Sequence, residues 1–330
     1  MKLNIKLDQT ERTLVNLMQT DFPLEQDPFA ALGEKLGLSE AEVLRRVQEL
    51  REKKIIRILG PVFNSRSLGY QSTLVAMRVP ENRIEHAASI ISQHSGVGHN
   101  YQRDHQYNLW FTLAIRGNHD LKKTLGEFEK QIQPESMFEL PATKLFKIRL
   151  FFDLEGNGNH TEDTVTKTPQ PVAAPLSESE RAVINEVQQQ LPLINRPFDD
   201  IAQNAGVDIE EFLSICRSLQ ERGIMRRLGA SIEHQNAGFV ANAMVCWEVP
   251  QSRVDEVGYK MAAFKEVTHC YERKTNHLWP RYNVFTMIHA DTEAKNVETV
   301  DRMIRKTGID EYQVLSTKRE FKKDRVRYRV

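Results

Sequence analysis

The sequence predicts an α+β fold written twice: a tandem repeat of a winged helix-turn-helix followed by a ferredoxin-like βαββαβ domain. Three observations predict it. The two halves align at a nearly constant offset, with Glu11/Glu180, Pro23/Pro192, Pro28/Pro197, Phe29/Phe198, Leu59/Leu228, Gly60/Gly229 and Gly69/Gly238 all 169 residues apart and Pro80/Pro250 170 apart. Each half opens with apolar residues at helical spacing, and each closes with alternating strand and helix patterns.

In the first copy, Leu14, Leu17 and Met18, then Leu32 and Leu36, then Val43, Val47 and Leu50 place apolar groups on one face of three successive helices, with breaks at Pro23, Pro28 and Gly37. Ser39 followed by Glu42 reads as a capping box opening the third helix. A β-rich turn over 55–63 completes a winged helix-turn-helix at 1–63, repeated at 176–232. Over 64–153, strands at 73–79, 97–103, 107–115 and 143–152 alternate with helices at 83–94 and 119–132. Over 233–330, strands at 241–249, 266–273, 282–289 and 311–322 alternate with helices at 252–263 and 291–306. This βαββαβ order is expected to leave one face of the sheet open to a partner or ligand. Residues 154–175, rich in Gly, Asn, Thr and Pro, read as a linker, and His160 within it has no expected role.

With 330 residues the chain exceeds what one core commonly holds, about 250 to 300 residues, so several domains are expected. Lys+Arg 45 balance Asp+Glu 45, so no global field draws it to nucleic acid or an acidic membrane, and an anionic partner must be met by a local pocket. Residues 7–60 hold ten acidic and eight basic side chains, and 176–229 nine and six. The recognition helices open on Glu40 and Glu42 and on Asp208, Glu210 and Glu211, carboxylates that repel phosphate. DNA binding is therefore not expected, and the helix-turn-helix reads as scaffold. Cys216, Cys246 and Cys270 are odd in number and scattered, which suits a reducing compartment and buried packing. With no long apolar run and no signal-like Met1–Lys6, a cytoplasmic protein without membrane contact is expected.

The repeat also carries polar chemistry that a duplicated fold does not need. VGHNYQRDHQYNLWFT at 97–112 returns as VTHCYERKTNHLWPRYNVFT at 267–286. On a strand, alternate residues share a face, so His99, Tyr101 and Arg103 form one row and His269, Tyr271 and Arg273 another. Each row joins a group that titrates near neutrality, a phenol, and a permanent cation able to clamp a carboxylate through two parallel hydrogen bonds. Such rows suit a substrate bearing several carboxylates. Tyr107, Trp110, Trp279 and Tyr282 offer flat surfaces, with packing as their competing role. His105, and His277 within a five-residue insertion, belong to the turns joining the strands and are further candidates. His86, His94, His119, His234 and His289 take structural readings, and no Cys/His spacing suggests a metal site built by the protein.

The domain order resembles the Lrp/AsnC family of transcriptional regulators. The strings HNYxRDHxYNLWFT and THCYER…WPxYNxFTMIH resemble its enzymatic relatives, the siroheme decarboxylases of alternative heme and heme d1 biosynthesis, in which two homologous subunits pair; here both lie in one chain. That resemblance implies a carboxy-lyase converting siroheme to 12,18-didecarboxysiroheme by loss of two acetate carboxyls. It implies no added cofactor, the iron arriving within the substrate. His99 and His269 are then the leading acid/base groups, with His105 and His277 as alternates or iron contacts. Arg103 and Arg273 clamp carboxylates, and Tyr101, Tyr271, Tyr107, Tyr282, Trp110 and Trp279 contact the macrocycle. Self-association or pairing with homologous subunits is also expected. The rival reading is a ligand-responsive DNA-binding regulator of the same fold.

Overall fold

The computed structural model describes residues 7–148, 151–155 and 175–330. The N-terminal hexapeptide, most of the 154–175 linker with His160, and the His119 side chain lie outside the described residues.

Each copy opens with three helices and one strand: α1 (Gln9–Thr20), α2 (Pro28–Leu36), α3 (Glu40–Glu52) and β1 (Ile56–Phe63), then α6 (Glu178–Val187), α7 (Asp199–Asn204), α8 (Ile209–Glu221) and β6 (Met225–Ile232). Asp8 with Glu11 and Ser177 with Glu180 close capping boxes on α1 and α6. The box expected at α3 is half formed. Ser39 accepts from the Glu42 amide, but the Glu42 carboxylate turns to Arg45 and Arg46 instead. Neither wing is complete alone, because β1 and β6 pair antiparallel with each other, Gly60 opposite Gly229. A pseudo-twofold axis passes there, relating Leu59–Ala230 to Pro61–Leu228. Glycine is required at 229, where a Cβ would fall 2.4 Å from the Met18 carbonyl oxygen. One apolar core, with Leu14, Phe29 and Val47 from one copy and Ile184, Phe198 and Phe212 from the other, fuses the two.

The remaining strands are β2 (Tyr70–Arg78), β3 (Val97–Arg103), β4 (Leu109–Arg116) and β5 (Ser136–Ile148), then β7 (Ala241–Trp247), β8 (Val267–Arg273), β9 (Val284–Ala290) and β10 (Tyr312–Lys323). Their helices are α4 (Ile84–Gln93), α5 (Asn118–Ile132), α9 (Val254–Ala262) and α10 (Glu293–Thr307). The expected open sheet face is not what forms. The strands close into a barrel in the order β10-β3-β4-β2-β5-β8-β9-β7. The last strand of each copy makes the closure. β5 pairs with β2 through Pro141 and then with β8 of the other copy from Ala142, while β10 pairs with β7 through Ser316 and with β3 from Thr317. That double duty explains why β5 begins at Ser136, ahead of the expected 143. β4 and β9 start later than expected, so Tyr107 and Tyr282 fall in the preceding turns.

Helices cover the outside. Val97, Phe111 and Leu113 pack with Ile91 of α4 and Phe128 of α5, and Val267, Val284 and Ile288 pack with Met261 of α9 and Met303 of α10. Because side chains alternate along a strand, the intervening residues point into the barrel. There Leu74, Ala76, Trp110, Leu140, Met244, Cys246 and Phe285 make a separate apolar cluster. Among the described residues no helix is long and apolar enough to cross a membrane.

Candidate active site

Asn100 donates its amide to the Ala88 carbonyl of α4, which fixes even-numbered β3 residues toward the helices and turns His99, Tyr101 and Arg103 inward. Buried Cys270 makes the same outward contact to Gly258 of α9, so His269, Tyr271 and Arg273 also face inward. The expected rows form in both copies. His99 stacks with Tyr101 at 6.1 Å between centroids and His269 with Tyr271 at 6.2 Å. Arg103 lies 4.9 Å over Tyr101, and Arg273 5.0 Å over Tyr271. Each guanidinium is anchored on a strand of the other copy: Arg103 Nη1 donates to Leu315 O at 3.2 Å, and Arg273 Nη1 to Leu140 O at 2.7 Å. Nε of each is buried without a protein partner. Both guanidiniums also face the buried Cys246 thiol, so the two rows converge at that end.

His99, Tyr101, His269 and Tyr271 are only half-buried although they point into a closed barrel, so they line an internal cavity. Burial pushes the His99 imidazole down to about 4, helped by the cations Arg57, Lys323 and Arg103. His269 falls to about 3, through burial first and then the facing His99 and Arg226. Burial likewise raises both phenols and lowers Arg103 and Arg273 to about 10. Both imidazoles are therefore neutral near pH 7. Their Nδ1 atoms lie near threonine hydroxyls, Thr112 at 3.4 Å and Thr268 at 2.9 Å, which leaves Nε2 available to a ligand.

Of the other sequence candidates, Trp110 on β4 is the cross-strand neighbour of Tyr101, and the rest gather around it or in the turns. Tyr107, Trp110 and Trp279 are buried in an aromatic plug with Phe138, where Trp110 and Trp279 meet edge to face at 5.5 Å. His105 packs on that plug, 5.5 Å from Trp279, and its Nδ1 accepts from the Tyr107 amide. Tyr282 is half-buried beside Trp279 with Arg281 over its ring, and His277 is exposed in the turn. Packing thus accounts for the tryptophans and Tyr107, while His105 and His277 do not join the rows. A surface cleft of 790 Å³ touches the rows only at Arg273. Among the described residues no group of three or more His, Cys, Asp or Glu side chains is placed to hold a metal.

Sequence reasoning missed the cations that the helix-turn-helix pair supplies. Arg57 on β1 acts on His99 and Tyr101, and Arg226 on β6 acts on His269 and Tyr271. They are repeat equivalents, again 169 apart, and that recurrence was the available signal. The C-terminal tail is tied to this pair of strands. Arg325 donates to Pro61 O at 2.9 Å and Ser231 Oγ at 2.7 Å, on either side of the pseudo-dyad.

Residues 67–147 and 236–322 match the AsnC-like ligand binding domain, and residues 11–57 and 180–226 match the siroheme decarboxylase NirDL-like HTH domain. The chain is 35% identical over 319 residues to the siroheme decarboxylase of Hydrogenobacter thermophilus, covering 96% of this chain and 93% of that protein. Against the siroheme decarboxylase alpha subunit of Nitratidesulfovibrio vulgaris it is 45% identical over 150 residues, covering 45% of this chain and 84% of that subunit. The crystal structure of the siroheme decarboxylase NirDL in co-complex with an iron-uroporphyrin III analogue superposes with a TM-score of 0.73 at 31% identity, covering 98% of this chain and 95% of that one.

Proposed function

Since the chain belongs to the siroheme decarboxylase family, we propose that its barrel takes up siroheme and removes two acetate carboxyls to give 12,18-didecarboxysiroheme, a carboxy-lyase reaction. The observation that carries this reading is the pair of His-Tyr-Arg rows facing one enclosed space. Siroheme is a flat polycarboxylate, and the rows with Arg57 and Arg226 supply four guanidiniums to meet it. In each event the bond between the acetate methylene and its carboxylate breaks, CO2 departs, and the electron pair is delocalised into the macrocycle. A proton delivered to that carbon leaves a methyl group. The exchange is redox-neutral, so it calls for no oxidant, reductant or cofactor beyond the iron carried by the substrate.

On this reading His99 and His269 deliver that proton through Nε2, their Nδ1 atoms lying near threonine hydroxyls. Arg103 and Arg273 hold carboxylates, and Tyr101 and Tyr271 hydrogen-bond beside them. Enclosure strips water from the reacting carboxylate, which disfavours its charge and favours loss of CO2. Anaerobic incubation with siroheme followed by mass spectrometry tests the reading: loss of two CO2 is expected, and siroheme returned unaltered refutes it.

Nothing in the helix-turn-helix favours the regulator alternative. Arg45 and Arg46 pair with Glu42, Lys53 with Glu11 and Arg222 with Glu180, and Arg217 donates to the Leu24 carbonyl of the other copy. Cations already engaged in this way have little left for phosphates. A gel shift at low salt is expected to show no duplex binding.

A further inference from the structure

The pseudo-twofold that relates the rows is broken in the cavity walls. From β3 to β8 one wall runs through β4, β2 and β5, and the other through β10, β7 and β9. On the first, Ile148 lies opposite His269, Ser72 opposite Ala114, and Ala142 opposite Arg273. At the equivalent places on the second, Lys323 lies opposite His99, Asn242 opposite His289, and Thr317 opposite Arg103. Small or apolar groups on one wall have become hydrogen-bonding and basic groups on the other.

The polar wall is tied together. Lys323 Nζ is 2.5 Å from Glu233 Oε1 and 3.2 Å from His234 Nδ1, and its side chain is 11% exposed. His234 Nε2 lies 3.1 Å from the Asn242 amide, Thr317 donates to Asn242 Oδ1 at 3.3 Å, and Arg103 donates to Thr317. One chain of contacts thus runs from Glu233 to the carboxylate-binding Arg103; among the described residues the wall with Ala142 and Ser72 shows no such chain, and there Arg66 donates to the Ala142 carbonyl beside Arg273 instead. An ammonium has three donors, of which Glu233 and His234 take two. His289, nine-tenths buried and 4.9 Å from His234, keeps Nδ1 without a partner. Lys323 therefore keeps one donor, and His289 one ring nitrogen, beyond the contacts within the wall.

We propose that Lys323, with His289 and Asn242, forms an orienting wall: it binds carboxylates that siroheme retains and so turns the two reacting acetates toward the Ile148 wall. This rests on the decarboxylase reading. Positions 12 and 18 belong to neighbouring pyrrole rings, so both reacting acetates lie on one side of the macrocycle. A carboxylate held by a cation is stabilised in its ionised form and resists losing CO2, whereas one facing apolar groups does not. A cavity with true twofold symmetry would accept the macrocycle in either of two orientations equally. One charge-assisted contact made in only one of them biases the choice on the order of tenfold to a hundredfold.

The test is the positional identity of the products. Lys323→Ile combined with Glu233→Asn installs the residues the other half carries at Ile148 and Asn64, and strands no charge. Ile148→Lys instead adds a cation to the apolar wall and leaves the cluster intact. Each protein is checked for folding by its thermal melt and for siroheme binding by anaerobic absorbance titration, and products are separated by chromatography and assigned by NMR. Wild type should give one didecarboxylated isomer, and each variant further isomers amounting to about a tenth of product or more. If the double variant does not fold, Ile148→Lys decides. A folded variant that binds siroheme and yields no new isomer, whether it keeps the original product or forms none, overturns the orienting wall. Wild type that leaves siroheme intact overturns the decarboxylase reading instead.

Discussion

Filling the cavity with a polyanion should draw protons onto the histidine rows. Among the chain's own groups His99 is pushed down to about 4, so about one imidazole in a thousand is charged at pH 7. A ligand carboxylate about 4 Å away, at an effective dielectric of about 20, contributes about 4 kcal/mol, or about three pKa units. That brings His99 to about 7, roughly half protonated at pH 7, and carries His269 from about 3 to about 6. Binding of iron uroporphyrin should then take up about 0.6 proton at pH 7 and about 1.4 at pH 6. Titration calorimetry in buffers of different ionisation enthalpy measures this directly, because the apparent binding enthalpy varies with the protons the buffer gives up. Replacing both His99 and His269 by Ala should bring the uptake close to zero. Wild type that takes up no proton between pH 6 and 7, or the double variant retaining the full uptake, would refute the idea that substrate charge arms the acid.

Acid stability follows from the same imidazoles. Their folded pKa values lie below the unfolded value of about 6.5, so as pH falls the unfolded chain binds protons first; the stability is whole above about 6.5 and is lost as pH falls through about 4 to 3. For His99 the loss is of order 3 kcal/mol, and a thermal midpoint unchanged between pH 7 and 4 contradicts it. Arg103→Lys keeps the charge but not the planar fork that donates to Leu315 and Thr317, and should weaken siroheme binding about tenfold in absorbance titrations; equal affinity speaks against clamping. Gly258→Ala would place a Cβ 2.4 Å from the Phe146 ring, where β5 of one copy packs on α9 of the other. It should destabilise by about 1 to 3 kcal/mol in denaturant melts, and no change would mean that this contact yields freely.

The rows were legible because their polar residues recur at two-residue spacing, and that pattern has no use in packing. Barrel closure was not legible. β5 and β10 read locally as ordinary strands, and their partners on β8 and β3 lie in the other copy. Arg57 and Arg226 recur just as the rows do, yet a single arginine in a half-polar strand reads as solvent-facing until the other copy encloses it. Tyr107, Trp110 and Trp279 read from sequence as either ligand surfaces or packing, because aromatic side chains serve both equally well and only their burial separates the two. Lys323 and His289 gave no signal at all, since the first copy carries Ile148 and Ala114 in their places.

The divergence at these two positions bears on how the molecule works. Repetition marks what the two halves must share, and here they share one imidazole, one phenol and one guanidinium each, held at matching distances. Departure from repetition marks what only one half needs. On the proposed mechanism two acetates must each meet an acid, for which a pseudo-twofold barrel offers two imidazoles, but the macrocycle they belong to lacks that symmetry, and the proposed orienting wall holds it one way round. Carrying both copies in one chain lets the walls diverge while the rows stay alike, because a substitution such as Lys323 for Ile148 then appears once per barrel. A barrel closed by two identical chains would show the same side chain on both walls, and could offer two acids but no preferred orientation.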